Sequence, residues 1–194
     1  MSQGAIIGWE RALMAAEKVK ERLGRATKAL DAAGVPYAVA GRNAVAEWVG
    51  RVDDEAVRNT RDVDLVIRRS DFAAAQSALE AAGFVYHHVM DIDLFIDGPL
   101  GKPSGGVHLL FAGEKVRTDH VEPCPELDES ERAADFQVVT LPALVRMKLM
   151  SWRRKDQVHL LDLINVGLID ASWLTRLPPA LADRLKELLD NPNG

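Results

Sequence analysis

The feature that most constrains the fold is a pair of aspartates, Asp62 and Asp64, at the start of the apolar, β-branched run 62–67. Valine and isoleucine favour extended backbone, so the run predicts a strand. Side chains two residues apart in a strand point to the same face, so both carboxylates are expected at one strand end. Such close negative charges repel each other unless a cation neutralises them. The pair therefore indicates a site for Mg²⁺, which prefers oxygen ligands and often carries phosphates.

A simpler structural interpretation of the pair stays open. The two acids are then solvated at a strand end, or they form ion pairs with the nearby Arg58 and Arg61. The choice between these interpretations depends on whether other groups suited to a site lie beside the carboxylates.

A second motif lies about 20 residues upstream, a distance compatible with a βαβ-like unit. The apolar strand 37–40 leads into Gly41, and Asn43 opens a helix. A glycine turn that leads into a helix exposes backbone N–H groups, which attract phosphate. Arg42 follows the glycine; it either adds a charged phosphate contact or is a surface arginine.

Composition limits the class of protein. The chain has 194 residues and 47% apolar residues, which predicts a globular protein of one domain with a small helical extension. The net charge of −5 argues against a protein that coats nucleic acid. Cys124 is the only cysteine, so no internal disulfide forms, which suits a reducing cytosol. No apolar run approaches membrane-spanning length and no signal peptide is recognisable, so a cytoplasmic protein without a membrane partner is expected.

Hydrophobic spacing and turn residues give the order of elements. Helices are predicted at 9–33, 43–49 and 71–82 and from 141 to the end, the last with breaks near 153–156, Gly167 and Pro178. Strands are predicted at 37–40, 62–67, 84–88, 92–96, 107–112 and 136–139. Segments 97–106 and 119–134 are predicted loops. This mixture predicts an α+β fold with a small mixed sheet flanked by helices. The expected division is a core with an N-terminal helix, 1–140, and a C-terminal helical subdomain, 141–194.

Together these residues resemble the DNA-polymerase-β-like nucleotidyltransferase superfamily, in which an apolar residue and Gly-Gly or Gly-Ser precede a helix and Asp-x-Asp follows on the next strand. Ala40-Gly41, the helix 43–49 and Asp62-Val63-Asp64 match this pattern. Arg58-Asn59-Thr60 is similar to the Arg-x-Thr that introduces the aspartates in bacterial members. The tail is similar to that of AbiEii-toxin-like nucleotidyltransferases through Lys148-Leu149, Arg153-Arg154-Lys155-Asp156 and Leu160-Leu161-Asp162-Leu163.

The resemblance implies an activity and a set of partners. Asp62 and Asp64 would bind Mg²⁺ or Mn²⁺, and Gly41, Arg42, Asn43 and Lys148 would hold an NTP. NMP would pass to a hydroxyl group on RNA, protein or a small molecule with release of pyrophosphate. A role in toxin–antitoxin or defence systems is implied by the resemblance alone.

Two departures from the superfamily pattern bear on activity. Arg42 replaces the second small residue, and His108 stands where a third carboxylate is expected. Histidine is a poor Mg²⁺ ligand and suits softer metals. Three interpretations of His108 stay open. It is a general base, it marks a member that binds nucleotide or a partner without catalysis, or it is a structural histidine. Asp91, Asp93 and Asp97 are alternative third carboxylates.

Lys148 lies on the apolar stripe of the predicted helix 141–152. It either contacts a triphosphate or extends along the edge of the apolar surface to reach water. The run Arg153-Arg154-Lys155 is expected to end the same helix, where cations favour the helix dipole. His87 and His88 point to opposite faces of a strand and are expected to be structural.

Overall fold

The computed structural model describes residues 3–58 and 60–191, so Asn59 of the Arg-x-Thr match lies outside the described residues. The helices are α1 Gln3–Ala32, α2 Gly41–Gly50, α3 Phe72–Ala81, α4 Leu141–Ser151, α5 Arg154–Asn165 and α6 Pro179–Asp190. The strands are β1 Tyr37–Ala40, β2 Val63–Ile67, β3 Phe84–Val89, β4 Ile92–Asp97, β5 Val107–Phe111, β6 Ser130–Arg132 and β7 Gln137–Val139.

The seven strands within the described residues form one mixed sheet in the order β3-β4-β5-β2-β1-β7-β6. Strand β2 runs parallel to β5, β1 runs parallel to β7, and the other neighbours are antiparallel. The predicted mixed sheet flanked by helices is therefore confirmed. In the central pair, Asp64 lies directly opposite His108.

Side-chain alternation along β2 divides the core into two clusters, one on each face of the sheet. Val63, Leu65 and Ile67 pack with α1 and α3, whereas Val66 packs with α2 and the C-terminal helices. Asp64 therefore belongs to the same face as Val66. The acids thus emerge on the side of the sheet covered by α2, α4 and α5.

Two predictions of local structure were wrong. Strand β6 lies within the predicted loop 119–134; its sequence Ser-Glu-Arg is polar, and it exists through antiparallel pairing with β7. Helix α4 ends at Ser151, and the next residue, Trp152, has a left-handed φ of +48°. The run Arg153-Arg154-Lys155 consequently begins α5 instead of ending α4.

The end of α4 is held by a residue from another helix. Arg184 of α6 donates from Nη1 to the carbonyls of Leu149 and Met150 at 2.6 and 3.0 Å, and its guanidinium lies 5.5 Å from the centre of the Trp152 ring. These bonds satisfy carbonyls that the helix end leaves without helical partners.

The C-terminal helices share a hydrophobic cluster with the sheet. Helix α4 begins at Leu141, and Leu144 and Leu160 pack in the same cluster as Ala38 and Val138. The division at residue 140 stays a prediction. Among the helices of the described segments, none has both the length and the apolar character needed to cross a bilayer.

Candidate active site

The centre of the site is formed by Asp62, Asp64 and His108. Asp64 lies on β2, Asp62 immediately precedes that strand, and His108 lies on the neighbouring β5. One potential ligand atom from each residue lies within 4.8 Å of the others, and Nδ1 of His108 is 3.5 Å from Oδ1 of Asp64. All three are half-buried, so the cluster is open to a ligand.

Two neutral residues fix the position of Asp62. Oγ1 of Thr60 donates to Oδ1 of Asp62 at 2.8 Å, and Nδ2 of Asn43 donates to the Asp62 backbone carbonyl at 2.8 Å. Burial opposes ionisation of Asp62, but the Thr60 hydrogen bond and the charges of Lys155 and His108 outweigh it and lower the pKa of the carboxyl. Asp62 is therefore ionised at neutral pH.

Gly41 allows the Asp64 carboxylate to lie against the first turn of α2. Its φ of +63° is left-handed, and a Cβ added there would lie 1.8 Å from Oδ2 of Asp64. Only glycine fits both the backbone conformation and the space. The predicted strand–glycine–helix motif thus meets the acid pair directly.

His108 has a defined orientation. Its Nε2 lies 3.1 Å from the carbonyl oxygen of Pro103. Since that oxygen only accepts hydrogen bonds, Nε2 carries a proton. The other nitrogen, Nδ1, faces Asp64. The hydrogen bond with Asp64 raises the pKa of His108 and outweighs the opposing effect of burial.

Basic side chains surround the acids. Lys148 is buried, and its Nζ lies 3.4 Å from Oδ1 of Asp156. Burial lowers the pKa of Lys148, while the charges of Asp156 and Asp64 favour its protonated form. Lys155 acts electrostatically on Asp62. Lys148 therefore does not extend to solvent; it forms a buried ion pair on the face of the sheet that carries Asp64.

Arg42 contacts a buried histidine that sequence analysis did not identify. Its Nε donates to Nε2 of His159 at 3.0 Å. His159 is 4% exposed, and burial lowers its pKa to about 4. Within residues 3–58 and 60–191, Nδ1 of His159 has no hydrogen-bond partner. A lone histidine between the matched residues of α5 carries no sequence signal for this contact.

An open cavity of about 570 Å³ adjoins Asp62. Asp62, Thr60 and Arg42 line one side, and three alanines of α1 (Ala12, Ala15 and Ala16) line another. The small alanine side chains leave space between α1 and the carboxylate. A second molecule can therefore approach Asp62 from the side of α1.

The alternative third carboxylates lie elsewhere. Asp93 accepts hydrogen bonds from Tyr86 and His88, and Asp97 pairs with Arg22 and Arg25.

Asp91, the third of these alternatives, occupies the β3–β4 turn with a φ of +62°.

Arg58 pairs with Asp162 at 3.0 Å, so its Nε is not engaged by the Asp62–Asp64 pair. Among the described residues, the group able to hold a metal ion comprises Asp62, Asp64 and His108.

Solved structures identify the fold. No protein-family model and no curated protein matches the chain. The antibiotic-resistance factor ANT(2'')-Ia is similar at 13% identity and a TM-score of 0.57, over 92% of this chain and 94% of that one. An antigenic nucleotidyltransferase-like protein from Paracoccidioides brasiliensis is similar at 18% identity and a TM-score of 0.59, over 91% and 89%. These likenesses show the nucleotidyltransferase fold; they do not extend to the AbiEii-like proteins in particular.

Proposed function

We propose that the protein transfers NMP from an NTP to a hydroxyl group, with a divalent cation held by Asp62 and Asp64. The observation that supports this most strongly is the convergence of the two carboxylates and His108 beside the glycine-initiated helix α2. Oxygen and imidazole donors at this separation suit a divalent cation. Such a cation, when bound, would neutralise phosphate charge and lower the pKa of the acceptor hydroxyl.

Other residues of the chain would bind the phosphates and position Asp62. The start of α2 at Gly41, beside Asp64, would contact phosphate through its backbone N–H groups. Arg42, Lys148 and Lys155 supply positive charge around the triphosphate. Asn43 is a positioning residue, because its amide is bound to the Asp62 backbone.

The reaction is an in-line displacement at the α-phosphorus of the NTP. The acceptor oxygen forms a bond to that phosphorus, the bond to the β-phosphate oxygen breaks, and pyrophosphate leaves. The hydroxyl proton passes to Asp62, which lines the open cavity. The acceptor is RNA, protein or a small molecule, and the toxin–antitoxin role stays a prediction from resemblance.

A second candidate function is nucleotide or partner binding without catalysis. The observation that favours it is His108 in place of a third carboxylate, since the lost negative charge weakens acceptor activation. Nucleotide binding without release of pyrophosphate, with every acceptor class, would distinguish this function from transfer.

The test is transfer of label from α-³²P-labelled NTPs in Mg²⁺ or Mn²⁺ to RNA, cell-extract protein and a panel of antibiotics. Asp62→Asn with Asp64→Asn is the inactivating variant. The matched control is Asp135→Asn with Asp183→Asn, which removes two exposed charges elsewhere. Transfer by the wild type and the control, but not by the inactivating variant, supports the proposal. Equal calorimetric affinity for metal–nucleotide in all three proteins contradicts it.

A further inference from the structure

In its neutral form, the imidazole of His108 offers a single lone pair to a ligand. Nε2 is protonated and occupied by the Pro103 carbonyl, which lies in the turn 103–105 before β5. In the neutral ring, Nδ1 is then the basic nitrogen. Nδ1 lies 3.5 Å from Oδ1 of Asp64, and the His108 ring forms one group of potential ligands with Asp62 and Asp64. The Pro103 carbonyl therefore selects the tautomer that directs a nitrogen donor into the acid pair.

The sheet fixes this arrangement. Asp64 and His108 are opposite residues in a parallel ladder that continues through five pairs, from Val63 with Val107 to Ile67 with Phe111. The register of the two central strands holds the backbones of His108 and Asp64 directly opposite each other. Outer-sphere hydrogen bonds to the second ring nitrogen commonly orient a histidine for metal binding. The Pro103 carbonyl has the position of such an orienting group.

We propose that His108 is a metal ligand through Nδ1, which makes the site a mixed nitrogen–oxygen centre that selects Mn²⁺, Co²⁺ or Zn²⁺ over Mg²⁺. This inference rests on the metal site of the proposed function and specifies its cofactor. Imidazole suits transition metals, whereas Mg²⁺ prefers a set of oxygen ligands. The same lone pair cannot serve as a general base while it binds a metal, so His108 does not take the acceptor proton.

The first test is competition between Mn²⁺ and Mg²⁺ on metal-free protein without nucleotide, followed by the electron paramagnetic resonance of free Mn²⁺. The variant is His108→Asp. The matched control is His87→Asp, the same substitution at an exposed position on β3. We expect His108→Asp to lower the ratio of Mn²⁺ to Mg²⁺ affinity by about tenfold or more, because the nitrogen donor is replaced by oxygen. His87→Asp should leave the ratio unchanged.

The second test uses the wild-type protein, so it does not depend on folding of a variant. Protein labelled with ¹⁵N-histidine is loaded with ¹¹³Cd²⁺, and a one-bond coupling is expected to Nδ1 of His108. Coupling to Nε2, or none with the metal bound, overturns the proposal. An unchanged Mn²⁺/Mg²⁺ ratio in His108→Asp also overturns it, yet leaves the transferase function standing if ions bind. Failure of every ion to bind, with or without a non-hydrolysable NTP analogue, overturns both.

Discussion

Gly41→Ala should abolish ligand binding at the site while it lowers the stability of the fold only in part. The added Cβ would lie 1.8 Å from Oδ2, 2.7 Å from Cγ and 2.9 Å from Cβ of Asp64. Asp64 belongs to a central strand, so its backbone cannot retreat and the carboxylate must rotate away. Rotation separates Asp64 from His108 and removes one donor from the cluster. We therefore expect loss of metal-dependent nucleotide binding.

The cost in stability has two parts. A left-handed backbone conformation costs an L-residue about 1–2 kcal/mol relative to glycine. Insertion of a methyl group into a packed region costs about 1–3 kcal/mol more. The sum, about 2–5 kcal/mol, lowers Tm by about 2–4 °C for each kcal/mol in a protein of this size.

Gly34→Ala is the matched control. Gly34 has a φ of +66°, close to that of Gly41, but an added Cβ there meets nothing within 4 Å. It should therefore show the backbone part alone and leave ligand binding intact. Calorimetric unfolding and titration with Mn²⁺ and a non-hydrolysable NTP analogue measure the two effects. Equal destabilisation by the two substitutions, or unchanged nucleotide affinity in Gly41→Ala, would refute the reasoning.

Three further outcomes are expected. Because burial lowers the pKa of His159 to about 4, the native protein binds fewer protons than the unfolded chain below pH 6.5. The free energy of unfolding should therefore fall by up to about 3 kcal/mol between pH 6.5 and 4. This pH dependence should become weaker in His159→Gln but not in His87→Gln, the control at an exposed site. Asp156→Ala should cost about 3–5 kcal/mol in chemical denaturation, because it leaves a buried lysine without its partner, whereas Asp190→Ala at an exposed pair should cost less than about 1 kcal/mol. Burial raises the pKa of Cys124 to about 12, so the native thiol should react with Ellman's reagent only after unfolding; rapid reaction in native buffer would contradict this burial.

The parts of the site that follow local rules could be predicted from sequence. The period-two alternation of strands predicts that Asp62 and Asp64 share one face, and the structure groups their carboxylates at one strand end. Gly41 was identified through its place between a strand and a helix. These signals depend on neighbours in sequence, so no knowledge of distant contacts was needed.

Other features depend on hydrogen bonds to the backbone, near or far along the chain. Trp152 adopts a left-handed conformation without being glycine, and the Arg184 bonds that hold this helix end come from 34 and 35 residues away. Strand β6 has no hydrophobic pattern of its own. The proton position on His108 is set by the Pro103 carbonyl, an acceptor that every residue carries and no sequence pattern reveals. Hydrogen bonds to backbone groups therefore limited the prediction.

The in-register pairing of β2 with β5 has a consequence for how such a site evolves. Codons for histidine and aspartate differ by a single base. The side chain of His108 is partly exposed, and the backbone pairing of its strand does not depend on which side chain stands there. One point mutation can therefore replace an imidazole with a carboxylate while the pairing of β2 with β5 is kept. Under the proposal that His108 binds the metal ion, such a mutation would change the metal preference of the site while the two aspartates and the glycine stay in place.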